Sequence, residues 1–464
     1  MRIAVSIFLA CALLWSCQPE KQPQTYEIAI HNATIIDIQT GKLSRDRHIL
    51  IDATGKISLS EKVLPAVNTI DASGKFAMPA LWDMHAHFRG GEKLIEENKK
   101  LLPLYVGNGV TTVRDAGGDL TEQIFQWRTE IKAKKLTGPY LYTSGPKIDG
   151  PGARWAGSLE VSTKGQADLA LDSLEALKVD FVKLYDSKLS AELYLYLLEA
   201  CNERGMKVSG HMPFTVMLQD AIDRKVTSIE HLYYVLKGCS LREAEITEKI
   251  RNGELSFWGS MEELMESYSD SLADIRMKNM KATEVFVVPT LHIGKVLSYL
   301  DQEDHTDDPA LSLIGSGIRK TYEGRINSAS RADEKAIKRR HLLHQAFRKL
   351  AVKLQQSGVK LLAGSDAGAY NSYVYPGFSL HDELQLMVES GIEPLAALQT
   401  ATLNAAAYFG LDSKNVLIGE GSKTDILLLD ENPLEDISNT QAIHGLIIDG
   451  QYLDKTALNK LLNR

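Results

Sequence analysis

The sequence predicts an α/β protein, a (β/α)8 barrel joined to a small discontinuous β-sandwich-like domain from both chain ends, and three observations lead there. Between Pro79 and about residue 410, short runs rich in Val, Leu and Ile alternate with stretches of helical periodicity. That alternation implies parallel βα units, and eight apolar runs are the number that closes a barrel. Both ends of the chain instead carry short alternating runs broken by Gly and Asp, the texture of hairpins in a separate sheet. At 464 residues the chain is long enough for one large barrel and a smaller companion.

Taken in order, the first residues MRIAVSIFLACALLWSC combine one cation, Arg2, with an apolar stretch of signal-peptide length. The run ends Leu14-Trp-Ser-Cys17, similar to the site at which bacterial lipoproteins are cut before a lipidated cysteine. The expectation is a signal peptide over 1–16, lipidation of Cys17, a polar tether over 17–24, and export to the cell envelope, periplasmic or outer-membrane associated. Residues 25–79 and 412–464 form the small β domain, from YEIAIHNATIID, HILIDATGKI and NTIDASGKFAMP at one end and TDILLLDENP and AIHGLIIDGQYL at the other.

The barrel occupies 80–411. Its strands begin with ALWDMHAHF and continue with VTTVRDAGG from Val110, PYLYTSG from Pro139, DFVKLYD from Asp180 and MKVSGHM from Met206. VTSIEHL from Val226, VFVVPTL from Val285 and KLLAGSDAG from Lys360 complete the set. Two intervals are longer than one helix needs, so helical insertions are expected at about 238–284 and 293–358, extending above the outer ring as walls of the mouth.

A formal net charge of −8, with no basic cluster, excludes nucleic acid or an anionic membrane surface as principal partner. Membrane contact is expected only through the N-terminal lipid. Beyond Cys17, only Cys201 and Cys239 remain, too few for a disulfide framework.

The chemistry lies at strand ends. His85 and His87 are two apart on a strand and so share a face. Lys183 lies in strand four, His211 ends strand five, His231 ends strand six, and Asp366 ends strand eight. All converge on the C-terminal mouth of a barrel, where ligand-type residues from separate strands can share a metal.

The motifs PALWDMHAH, GVTTVRDAGG, DFVKLY, SGHM, SIEHL, AGSDAG and IEPLAALQTATLNAAAYFGL, in that order, resemble the amidohydrolase superfamily across nearly the whole mature chain. Within it the likeness is to the imidazolonepropionase-like and Xaa-Pro dipeptidase-like group. The resemblance implies two divalent metal ions, typically zinc. His85, His87 and Asp366 would bind one, and His211 and His231 the other. Lys183, carboxylated by CO2, would bridge them; its burial among Phe181, Val182 and Leu184 favours the neutral amine that this addition needs. A hydroxide between the metals would attack the carbonyl, with Asp366 as catalytic base and then acid. The implied reaction is hydrolysis of an amide, peptide or cyclic amide of a small molecule or dipeptide.

Arg154, Tyr233 and His292 are placed to face substrate. The strand-three loop lacks the Gly-Gly-His element common in relatives, so substrate preference does not carry over. Arg114 reads as structural, and His381 belongs to the helix after the last barrel loop. A mononuclear deaminase and a catalytically silent binding protein on the same scaffold are the alternatives, and oligomeric state is left open.

Overall fold

The computed structural model describes residues 26–463, so the signal peptide, the tether and the lipidation of Cys17 lie outside the described residues. Seven barrel strands run Leu81–Ala86, Val110–Asp115, Tyr140–Thr143, Val182–Leu184, Val208–Gly210, Ser228–Glu230 and Phe286–Val288. They pair in parallel in the order of the chain, with two further strands, Ile148–Asp149 and Leu159–Glu160, appended beside strand four. The eighth stave is residues 360–367, too irregular for a continuous ladder. It closes the barrel by donating from Leu362 N to Val287 O at 2.9 Å, while Met84 N donates to Ala363 O at 2.8 Å. Strands three and four meet through Asp180 N and Thr143 O at 2.9 Å. The (β/α)8 barrel expected from the eight apolar runs is therefore the fold.

Serine, threonine and aspartate start many of the ring helices. Thr163, Ser190, Ser269 and Asp333 accept from backbone N–H groups at the heads of Lys164–Leu177, Ala191–Glu203, Asp270–Ala282 and Glu334–Gln356. Each cap satisfies one of the donors a helix N-terminus leaves orphaned. Asp270–Ala282 and the C-terminal half of Glu334–Gln356 lie in the ring, while the N-terminal turns of the latter pack on the mouth helices, Lys335 on Glu262, and Phe347 at its middle packs on Tyr233 beside the site. Met277, Met280, Leu350 and Leu354 on these two helices join the main core, so each is the ring helix that feeds the next strand. The additional helices over the mouth are the shorter ones before them, Glu243–Arg251 and Phe257–Glu266 after strand six, and Leu291–Ser298, Ser316–Thr321 and Glu323–Ser330 after strand seven.

The chain ends build one eight-stranded sheet. It is mixed rather than made of hairpins alone. The long strand Tyr26–Ile36 pairs antiparallel with Leu43–Ile51, but parallel with both Ala66–Asp71 and Phe76–Pro79 along its two halves. The Gly74 turn in ASGK bulges out and lets the chain run on along the same edge of that strand without reversing, which a turn-based sequence reading takes for a hairpin. Ile426–Leu429, Ile443–Ile448 and Gln451–Asp454 complete the sheet on the other side of Phe76–Pro79. Cys201 and Cys239 are buried free thiols, each pushed up to about 12 by burial. Among the described residues, no helix is long and apolar enough to cross a membrane.

Candidate metal centre

The site sits where strand one meets the eighth stave. Asp366 N donates to His85 O at 2.7 Å and His87 N to Ala367 O at 2.9 Å, so the first and last staves are laced together through the candidate ligands. Beneath them Asp83, fully buried, accepts from His85 N and from Ser365 N, at 3.1 and 3.0 Å. Two glycines allow the close approach. A Cβ on Gly368 would lie 2.3 Å from His87 O, and one on Gly210 would lie 2.0 Å from Leu184 O. His231 and Asp366 themselves adopt left-handed backbone, φ 64° and 60°. Such conformations cost energy in non-glycine residues and concentrate at functional sites.

His85, His87 and His231 all turn Nε2 toward Asp366. His85 Nε2 is 3.6 Å and His87 Nε2 3.1 Å from Asp366 Oδ1, and His231 Nε2 is 4.0 Å from Oδ2. Ligand atoms of His85, His231 and Asp366 lie within 4.8 Å of one another. The His211 ring centroid is 4.8 Å from that of His231. Lys183 is 1% exposed, and its Nζ and the Nε2 of His85 are buried with no hydrogen-bond partner.

The other ring nitrogens explain the orientation. His85 Nδ1 lies 2.5 Å from Glu230 Oε2, His87 Nδ1 2.9 Å from Gly117 O, His211 Nδ1 3.2 Å from Asp186 Oδ1, and His231 Nδ1 2.6 Å from Thr290 Oγ1. With Nδ1 committed to a protein partner in all four rings, Nε2 is the free ligand atom in each. Two imidazole lone pairs and a carboxylate oxygen then face one another, an arrangement that a cation between them would satisfy. Burial holds His87 and His231 well below the ordinary imidazole pKa, which keeps them neutral as ligands must be. For Asp366, burial favours the acid, but the surrounding His85, His87 and His231 outweigh it and hold the carboxyl well below its usual range. Lys183 is pushed down to about 8 by burial, opposed chiefly by Glu230. The donor set fits divalent metal.

Two residues of this network escape a sequence reading. Glu230, 0% exposed, accepts from Arg114 Nη2 at 2.8 Å with both oxygens and anchors His85. Arg114 is thus a positioning residue, one step from the ligands. Asn371 Nδ2 donates to Asp366 Oδ1 at 2.7 Å. The signal was present in SIEHL and VTTVRD, where opposite charges sit inside runs that must be buried and therefore demand each other.

The three expected substrate residues differ in placement. Tyr233 lies beside the site, its ring 6.5 Å from His231 and packed on Phe257, Trp258 and Phe347. His292 lies beyond strand seven, with Nε2 3.5 Å from Asp382, and burial drives it down to about 3. Arg154 is exposed at the rim, its guanidinium 5.7 Å from the Trp155 ring. His381 is buried away from the mouth, bonded to Thr440 Oγ1 and Asn108 O at 2.9 Å each.

Residues 76–453 match the model of the amidohydrolase family. A segment of 80 residues, 16% of the chain, is 45% identical to adenine deaminase 2 of Desulfotalea psychrophila, and the match spans 13% of that protein's length. Among solved structures, bottromycin amidohydrolase superposes with a TM-score of 0.73 at 21% identity, covering 95% of this chain and 89% of that one. A Xaa-Pro dipeptidase with bound methionine gives 0.67 at 19%, covering 92% and 99%. Ochratoxinase of A. niger gives 0.64 at 18%, covering 93% and 96%.

Proposed function

The chain belongs to the amidohydrolase family, hydrolases of carbon–nitrogen bonds, and from that premise we propose that it cleaves an amide or peptide bond of a small molecule, as a dipeptidase does. The observation that carries this reading is the set of four histidines with Nδ1 occupied and Nε2 free beside Asp366 and an unpartnered Lys183 amine. His85, His87 and Asp366 would hold one divalent ion, most simply zinc. His211 and His231 would hold a second, with carboxylated Lys183 between the two. Bound there, such a pair supplies Lewis acidity and an acidified water at neutral pH.

The chain's own residues do the rest. Asp366, steadied by the Asn371 amide, takes the proton of the attacking water and passes it to the departing amine. Glu230, pinned by Arg114, keeps the proton of His85 on Nδ1. The helices after strands six and seven narrow the mouth around Tyr233. The N-terminal MRIAVSIFLACALLWSC supports placing the mature protein at the cell envelope through lipid on Cys17, which mass spectrometry of the membrane fraction tests.

Purified protein supplied with zinc and bicarbonate is expected to take up about two equivalents of metal. It is also expected to release amine from a panel of Xaa-Pro and other dipeptides, N-acyl amino acids and lactams, with both properties lost in Lys183→Ala. A folded protein that binds no metal and hydrolyses nothing overturns the reading. One equivalent of metal with ammonia released from adenine replaces it with deamination, the activity named for the Desulfotalea psychrophila relative.

A further inference from the structure

Most buried cations of this protein have an assigned partner. Arg114 meets Glu230, Lys237 lies 3.7 Å from Glu243 and donates to Val216 O, and Lys183 faces the metal centre. Arg89 and Lys147 are the exceptions. They are 5% and 2% exposed, and the ion pairs of the described residues include neither. Both lie against one indole. The Arg89 guanidinium is 4.2 Å and the Lys147 ammonium 5.3 Å from the centroid of Trp155, whose Nε1 is itself buried without a partner.

Their place in the fold ties them to the candidate site. Arg89 stands two residues past His87, and its Nε donates to Ala369 O at 2.9 Å, three residues past Asp366. That bond directs the fork and leaves both Nη groups without an acceptor among the described residues. Lys147, in the loop after strand three, is 5.2 Å from the Tyr185 ring, which lies 4.4 Å from the His211 ring. The two cations therefore flank one edge of the mouth, between strand one and strand four. Neither group has a carboxylate within ion-pair distance among the described residues, and burial pushes Lys147 down to about 7; an anion entering beside both would relieve the cost of burying them.

We infer that Arg89, Lys147 and Trp155 form a box that seats a carboxylate of the substrate, so that the scissile amide belongs to a molecule with a free acid, such as a dipeptide or an N-acyl amino acid. This substrate class rests on the hydrolase reading above. A planar fork beside one ammonium matches the two coplanar oxygens of a carboxylate better than the tetrahedral face of a phosphate. Trp155 forms the wall that holds the fork in plane, and Arg154 adds a cation at the entrance.

The metal-loaded enzyme is titrated with N-acetylglycine, N-acetylglycinamide and inorganic phosphate while tryptophan emission is followed. N-acetylglycine is expected to change the emission, and the signal should vanish in Trp155→Phe. Lys147→Met should weaken its Kd at least tenfold with metal content unchanged, and Lys147→Arg should restore most of the loss. Equal binding of acid and amide, tighter binding of phosphate, or an unchanged Kd in Lys147→Met each overturns the box. The best substrate of the dipeptide panel and its C-terminal amide supply the kinetic arm. Wild type should favour the acid at least thirtyfold in kcat/KM, and Lys147→Met should erase that preference mainly through KM. A panel with no turnover counts against the hydrolase reading, while the titration still decides the box.

Discussion

At the scale of single residues, the site depends on groups that never touch substrate. Glu230 is buried between His85 and Arg114, so Glu230→Gln leaves a guanidinium without its counter-charge. We expect a loss of about 3–5 kcal/mol in denaturant unfolding, the range for breaking a buried pair. Zinc affinity should fall about 10–100-fold in competition with a chelator, as for other lost partners of metal-binding histidines. Asp366→Asn behaves oppositely. Asparagine tolerates the left-handed backbone at this position, so the melting temperature should hold while kcat drops by about 10²–10⁴. His85, His87, His211, His231 and Asp366 were legible in the sequence because each closes or follows an apolar run, and a barrel brings such ends together. Arg89 and Lys147 were not, and Glu230 showed only as a buried charge in need of a partner, since the neighbour each meets lies on another strand or loop.

At the scale of elements, closeness of approach is the constraint. Gly210→Ala would drive a methyl into Leu184 O and push strand five from strand four just before His211. A loss of at least about 2 kcal/mol is expected, with weakened metal binding measured on the same preparation. The helix Leu291–Ser298 starts on Glu383, whose two oxygens accept from Leu291 N and His292 N at 3.0 and 2.6 Å. Burial raises this carboxyl from 4.5 to about 8, so the folded protein keeps a proton that the unfolded chain sheds. The contribution of Glu383 to stability is therefore full below pH 4.5 and is lost as pH rises toward 8, each unit being worth about 1.4 kcal/mol. Asp83, Asp115 and Asp425, raised by burial to about 6, 6 and 7, act in the same direction. The difference in urea midpoint between wild type and Glu383→Gln should therefore shrink as pH rises across this window. The strands themselves were readable from apolar runs, but Asp270–Ala282 and the C-terminal half of Glu334–Gln356, which belong to the ring, read as insertions because long intervals hide which of several helices packs on the barrel.

At the scale of the molecule, one face of the terminal sheet joins the core of the barrel, while the other keeps a buried cluster of its own around Ile28, Ile49 and Leu428. Met78, Leu427, Leu446, Leu458 and Leu461 belong to the same buried cluster as barrel residues such as Val113 and Ile229. The last helix, Lys455–Leu462, lies on Ile95–Gly107 so closely that a Cβ at Gly107 would come within 2.5 Å of Leu462. Leu461→Ala should cost about 2–4 kcal/mol and lower one cooperative calorimetric transition, whereas two separate transitions would mean that the parts fold independently. The pairing of the chain's ends was visible in their matching Gly- and Asp-punctuated runs, although the unreversed run through Gly74 was not, because a turn residue does not state its direction.

The seam between strand one and the eighth stave has a consequence for synthesis. Asp83 and Ser365 are 282 residues apart in the chain, and the candidate ligands straddle that clasp. A ribosome has therefore made His85 and His87 long before Asp366 exists. Truncated or stalled products lack the means to complete the cage, which makes metal uptake a record that translation ran past the last stave.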